Sequence, residues 1–122
     1  MHDMIRGLNA KLVPFAFVAL LAPFPSSVSL AHTEEGTVII HLTDGGFEPG
    51  EVAVEKGSAV LFENAGTGDH WPASDTHPTH EAYRGFDPRR PISPGEAWTF
   101  LFQSEGVWGM HDHLYPQFLG KI

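Results

Sequence analysis

From residue 37 to its end, the chain consists of short runs rich in β-branched and aromatic residues, separated by glycine- and proline-containing turns. Strands are predicted at 37–43, 51–54, 58–64, 96–102 and 107–111, with the start of a last strand at 119–122. In the run 96–102, Trp98, Phe100 and Phe102 fall on one face. Residues 47–50 read as an irregular link, and no helix is predicted after residue 31. The pattern predicts an all-β protein, either a small sandwich or a barrel.

The first 31 residues have the pattern of a secretory signal peptide. Arg6 and Lys11 supply a positive start, an apolar run covers 12–22, and Ser29 and Ala31 provide small residues for a cleavage site. The apolar run is too short to cross a bilayer comfortably. We therefore expect a signal peptide at 1–31 and one domain at 32–122. We also expect a periplasmic or secreted location, with no membrane span after cleavage.

Composition excludes several kinds of site. The 15 acidic residues outnumber the 7 Lys and Arg, for a formal net charge of -8, which argues against nucleic acid as a partner. The absence of cysteine excludes disulfides, thiolate ligands and cysteine nucleophiles. Ser74 and Ser104 lack the surroundings of a hydrolase nucleophile. Histidine, with 8 residues, is the abundant chemical group.

Five of the seven histidines after residue 31 form two groups, and His32 and His41 lie apart from them. The first group, His70, His77 and His80, lies in the long segment 65–93, which is poor in strand character. A loop of that length is usually functional or disordered, and its aromatic residues argue against disorder. In the second group, His111 and His113 are two residues apart, so a strand would direct both rings to one face. Neutral imidazole is a good ligand for copper, zinc, nickel and iron.

These groups predict a metal site with the metal ion as the main partner. The expected ligands are His70, His111 and His113, with His77, His80 and Asp112 as reserve ligands or as supports of the ligands. For His77 and His80, ordinary hydrogen bonding in a loop is the alternative. Asp75 is expected either to orient an imidazole or to serve in a turn.

The arrangement resembles a cupredoxin. Asn64-Ala65-Gly66 followed by His70 resembles the segment that carries the first copper-ligating histidine of that family. The stretch 106–113, Gly-Val-Trp-Gly-Met-His-Asp-His, resembles the C-terminal ligand segment, and it is also similar to the His-x-His segments of multicopper oxidase domains. The resemblance covers about residues 37–122, and it implies a small antiparallel Greek-key β-sandwich that binds copper.

The chain departs from the blue-copper pattern, which uses two histidines, a cysteine thiolate and a weak axial methionine. Asp112 occupies the middle of the His-x-His, where a cysteine would be sought, and Phe118 stands where the axial methionine is expected. The resemblance therefore implies a site of imidazole and carboxylate, without the intense blue colour. Such ligands bind copper or zinc, with Cu(II) the tighter of the two.

Several functions remain open at this point. The first is copper handling or electron transfer, with a redox or metal-transfer protein as partner. The second is a copper-dependent redox enzyme that uses an open coordination position, although a binding protein is favoured over an enzyme. The third is a metal-free interaction module on the same fold. Cleavage after Ala31 would also leave His32 as the N-terminus, whose amine and ring together can chelate copper.

Overall fold

The computed structural model describes Pro14 and residues 37–122, so the signal peptide predicted for 1–31 lies outside the described residues. The described residues form seven strands and contain no helix. The strands are β1 (Val38–Thr43), β2 (Gly46–Glu48), β3 (Ser58–Asn64), β4 (Pro72–Ser74), β5 (Ala97–Phe102), β6 (Gly109–Asp112) and β7 (Leu119–Lys121). A helix long and apolar enough to cross a membrane is not found in this part of the chain.

The strands form two sheets, with orders β2-β1-β3-β5 and β4-β6-β7. The all-β prediction is confirmed, and every strand pair is antiparallel except β1 with β3, which run parallel with Ile40 opposite Phe62. The connection between β2 and β3 explains the exception. It passes along the other sheet, where the Val52 amide donates to the Lys121 carbonyl and the Lys121 amide donates to the Gly50 carbonyl. The chain then returns to the first sheet beside β1.

The predicted strands differ from the observed ones at three places. Residues 46–48 form β2 by pairing with β1, where an irregular link was expected. The prediction of a strand at 51–54 is wrong, because only Glu51 makes a ladder contact, a single bridge to Lys121. The third difference is β4, which lies inside the segment 65–93 that was expected to be poor in strands and pairs there with β6.

The core lies between the sheets and follows the alternation of the strands. Val60 and Phe62 of β3 are fully buried, whereas their neighbours Ala59 and Leu61 are only partly buried. In β5 the aromatic face turns inward and Ala97, Thr99 and Leu101 stay exposed, as the pattern predicts. The other buried apolar side chains are Ile40, Leu42, Phe47, Ala73, Phe86, Ile92, Phe102, Met110 and Ile122. Their burial provides the main driving force for the fold.

The loop after β4 is ordered by one fully buried aromatic ring. Phe86 stacks on Trp98, with ring centroids 6.0 Å apart and planes 6° apart, and on Phe100 at 5.2 Å. Its carbonyl accepts a hydrogen bond of 2.8 Å from the Ser74 amide. These contacts bring the loop back against the second sheet, and they hold the stretch 75–80 over β6.

Candidate metal centre

Four histidines meet where the loop after β4 crosses β6. Their ligand nitrogens all lie within 4.8 Å of one another. His77 and His80 come from the loop, His111 comes from β6, and His113 directly follows β6. The approach is set by the backbone, since the Asp75 amide donates to the Gly109 carbonyl at 3.1 Å as the loop leaves β4. Two segments that are distant in sequence therefore supply two rings each.

Two of the rings are oriented by carboxylates. The Nδ1 atom of His111 lies 2.9 Å from Oδ1 of Asp75, and Nδ1 of His80 lies 2.7 Å from Oδ2 of Asp87. A carboxylate accepts a hydrogen bond from the N–H at Nδ1, which keeps the proton there and leaves the lone pair on Nε2; this is the usual support of a metal-bound histidine. Both Nε2 atoms are thereby prepared as ligands.

The prepared nitrogens face the other two rings. Nε2 of His111 lies 3.1 Å from Nδ1 of His77, and Nε2 of His80 lies 3.0 Å from Nδ1 of His113. Imidazole nitrogens bind ions such as Zn²⁺ at about 2.0–2.1 Å, so two nitrogens that share one ion lie roughly 3 Å apart. Each of the two pairs therefore has the spacing of ligands that share one ion, and the cluster of four is one that could hold a metal that accepts imidazole, copper among them.

Burial favours the neutral, ligand-competent form of two rings in the cluster, His111 and His113. Removal from water lowers the pKa of His111 below its ordinary value, against the opposing hydrogen bond to Asp75. Burial, together with the neighbouring rings of His80 and His77, also lowers the pKa of His113. The cluster is not closed, because His77 is exposed and forms its outer side.

Asp87, the carboxylate that orients His80, is itself held in the ionised form. Burial opposes ionisation of Asp87, but hydrogen bonds from His80, the Arg89 amide and the Trp71 indole outweigh it and lower the pKa of Asp87. This role of Asp87 was not predicted from the sequence. No local spacing links it to His80, since the contact depends on how the loop folds.

His70 and Asp112 are not members of this cluster. They contact each other instead, with Nδ1 of His70 2.6 Å from Oδ2 of Asp112 and both side chains buried. The other carboxylate oxygen of Asp112 accepts hydrogen bonds from the Trp71 and Leu114 amides. The reason is strand geometry: successive side chains of a strand point to opposite faces, so Asp112 faces away from its two histidine neighbours. Of the six expected metal residues, four are brought together.

Acid should destabilise the metal-free fold through these rings. Because the pKa values of His111 and His113 are depressed in the folded state, that state binds fewer protons than the unfolded chain. Their contribution to the free energy of unfolding is fully present above about pH 6.5, the ordinary pKa of histidine. It is lost as the pH falls through the pKa values of the two rings in the folded state. We expect the urea concentration at the unfolding midpoint of the metal-free protein to be lower at about pH 5 than at about pH 7.

The matched variants are His113→Gln, which should flatten this fall, and His41→Gln, at an exposed position of β1, which should not. A wild-type midpoint that is constant or rises as the solution is acidified would contradict the expectation.

The comparisons with known proteins concern the fold. No family model matches the sequence, and no curated protein matches it. A purple cupredoxin from Nitrosopumilus maritimus is similar in structure, with a TM-score of 0.60, 18% identity, and coverage of 69% of this chain and 95% of that one. Two amicyanin variants, one in the reduced Cu(I) form and one oxidised, each give a TM-score of 0.60, 20% identity, and coverage of 75% and 84%. The chain thus has a cupredoxin-like fold and lacks the cysteine ligand.

Proposed function

We propose that this cupredoxin-like domain is a copper-binding protein whose site is formed by His77, His80, His111 and His113. The observation that carries the proposal is the convergence of four imidazole nitrogens within 4.8 Å. Among the divalent first-row metals, copper binds such nitrogen sites most tightly, ahead of zinc. The structural neighbours lend support, since one of them is an amicyanin in its Cu(I) form.

Within this proposal, copper handling is the role that the donor set favours. Four imidazoles satisfy a four-coordinate ion, whereas an enzyme would need an open position for its substrate. An ion held only by histidine also has to reorganise more between oxidation states than one held by a thiolate, which argues against fast electron transfer. The exposed ring of His77 leaves one side of the centre accessible to a partner that delivers or removes copper.

The proposed place of action is the periplasm or the extracellular space. The supporting observation is the signal-peptide pattern of residues 1–31, after which the mature domain is 32–122. The partner that fits such a domain is a copper donor or acceptor protein in the same compartment.

Copper binding should give a spectrum and a stabilisation that identify the site. The first equivalent of Cu(II) is expected to show spin resonance with hyperfine splitting from several imidazole nitrogens and no intense blue absorption, because the chain has no thiolate. At a free copper concentration of about 100 times Kd, binding stabilises the folded state by about 2.7 kcal/mol, so the midpoint temperature of thermal unfolding should rise. The measurements are a Cu(II) titration followed by spin resonance and thermal unfolding with and without copper.

The control is His41→Gln, which removes an exposed ring on β1 outside the cluster and should leave both signals unchanged. Equal thermal stability with and without copper would contradict the proposal and favour the metal-free interaction module.

A further inference from the structure

His70 lies outside the four-histidine cluster, yet its ring is prepared in the same way as two of the ligands. The side chain is buried, and Nδ1 lies 2.6 Å from Oδ2 of Asp112. This contact matches those of His111 with Asp75 and of His80 with Asp87. With the N–H at Nδ1 donating a hydrogen bond to the carboxylate, the lone pair is on Nε2. That atom is buried and has no hydrogen-bond partner among the described residues.

The unpaired nitrogen lies at an open cleft of about 300 Å³, lined by Asp44, Thr67, Gly68, His70, Tyr115 and Phe118. Oδ1 of Asp44 lies 3.9 Å from Nε2, which is too far for a hydrogen bond. The amide and the hydroxyl of Thr67 each donate to the Asp44 carboxylate at 2.8 Å and lower its pKa. The ionised carboxylate of Asp44, fixed by Thr67, and the buried lone pair on Nε2 of His70 therefore face each other across a gap of 3.9 Å.

A third acceptor faces the same space beside Gly66. A Cβ atom at this glycine would lie 2.6 Å from Oδ1 of Asp44, 2.9 Å from Nε2 of His70 and 3.2 Å from Oδ1 of Asn64. The amide nitrogen of Asn64 donates to the carbonyls of Gly68 and Ile92, so its oxygen is the atom turned toward Gly66. The space is thus bordered by a carboxylate, an imidazole lone pair and an amide oxygen, a set that attracts a cation.

We propose that Nε2 of His70 and the carboxylate of Asp44 form a second metal site, for a divalent first-row cation of the copper or zinc class. An ion about 2.0–2.2 Å from each ligand atom fits between two atoms 3.9 Å apart. The amide oxygen of Asn64 lies beside this position, and water from the open cleft completes the coordination. With one imidazole, this site binds more weakly than the four-histidine cluster and fills second.

The test counts Cu(II) equivalents in a chain that carries His2→Gln and His32→Gln, because a terminal amine with a nearby histidine can chelate copper by itself. Titration calorimetry and spin resonance should give two equivalents, the second with fewer nitrogen couplings than the first. Asp44→Asn, at a side chain that is 56% exposed, should leave one equivalent.

Gly66→Ala should also leave one equivalent, because its methyl group would fill the space between the ligand atoms while both ligands remain. The matched control is Gly45→Ala, whose methyl group would meet nothing closer than Oγ1 of Thr43 at 3.8 Å. It should keep two equivalents.

The second site can be tested separately from the proposed function. A His111→Gln/His113→Gln double variant should lose the tight equivalent and keep the weaker one, and Asp44→Asn should do the reverse. The proposal is overturned if the background chain binds a single equivalent, or if Asp44→Asn and Gly66→Ala both keep two. It is equally overturned if nitrogen NMR at neutral pH, with copper absent, shows His70 protonated on both ring nitrogens, as a cation between Asp44 and Asp112.

Discussion

Replacement of His111 by glutamine should lower the affinity for the first equivalent of Cu(II) by at least about 100-fold. The Nε2 atom of His111 faces His77 at 3.1 Å, and its ring is buried and fixed by Asp75. Loss of a supporting carboxylate alone typically lowers metal affinity about 10–100-fold, so loss of the ligand itself should reach or exceed the upper end of this range. The measurement is competition against a copper chelator of known affinity.

Two further variants separate ligation from folding. Asp75→Asn keeps all four rings and should cause an intermediate loss of about 10–100-fold, because the ring of His111 is then less firmly oriented. His41→Gln should retain the affinity of the parent chain. Circular dichroism of each metal-free variant confirms that it is folded. Wild-type affinity in folded His111→Gln would exclude the four-histidine cluster as the copper site.

Truncation of Phe86 to alanine should lower the free energy of unfolding by about 3–5 kcal/mol. The ring is fully buried and stacks on Trp98 and Phe100, so its removal leaves a cavity among large aromatic groups. Urea denaturation of the metal-free protein measures the loss.

The control for this prediction is Leu101→Ala, at a side chain that is 46% exposed on the outer face of β5. It should change stability by roughly 0.5 kcal/mol, as surface substitutions usually do. Equal losses in the two variants would show that the loop is not anchored through Phe86.

Much of the fold could be predicted from local pattern. The run 58–64 coincides with β3, and the aromatic face of 96–102 turns inward. Both could be predicted because the alternation of apolar and polar residues along a strand indicates which of its faces packs on the core. The three-residue strands β2 and β4 were missed. Each is a strand only because a partner lies beside it, β1 and β6 respectively, and such pairing leaves no periodic pattern in three residues.

The candidate site was partly predictable for a similar reason. The period of a strand places His111 and His113 on one face, and the same period assigns Asp112 to the other. The roles of His77 and His80 could not be decided from the sequence, since both lie in a loop whose position depends on the distant aromatic stack around Phe86. His70 was grouped with the cluster, and its segment resembles the one that carries the first copper-ligating histidine of the cupredoxins, but its ring contacts Asp112 instead.

The spacing of the four rings along the chain gives the proposed ion a mechanical role as well as a chemical one. His77 and His111 are 34 residues apart, and His80 and His113 are 33 residues apart. One ion bound by all four rings would therefore cross-link the long loop to the second sheet. Closing so large a loop restricts the unfolded chain, as a disulfide does. In a chain without cysteine, the ion would serve as a removable cross-link whose presence depends on the supply of metal.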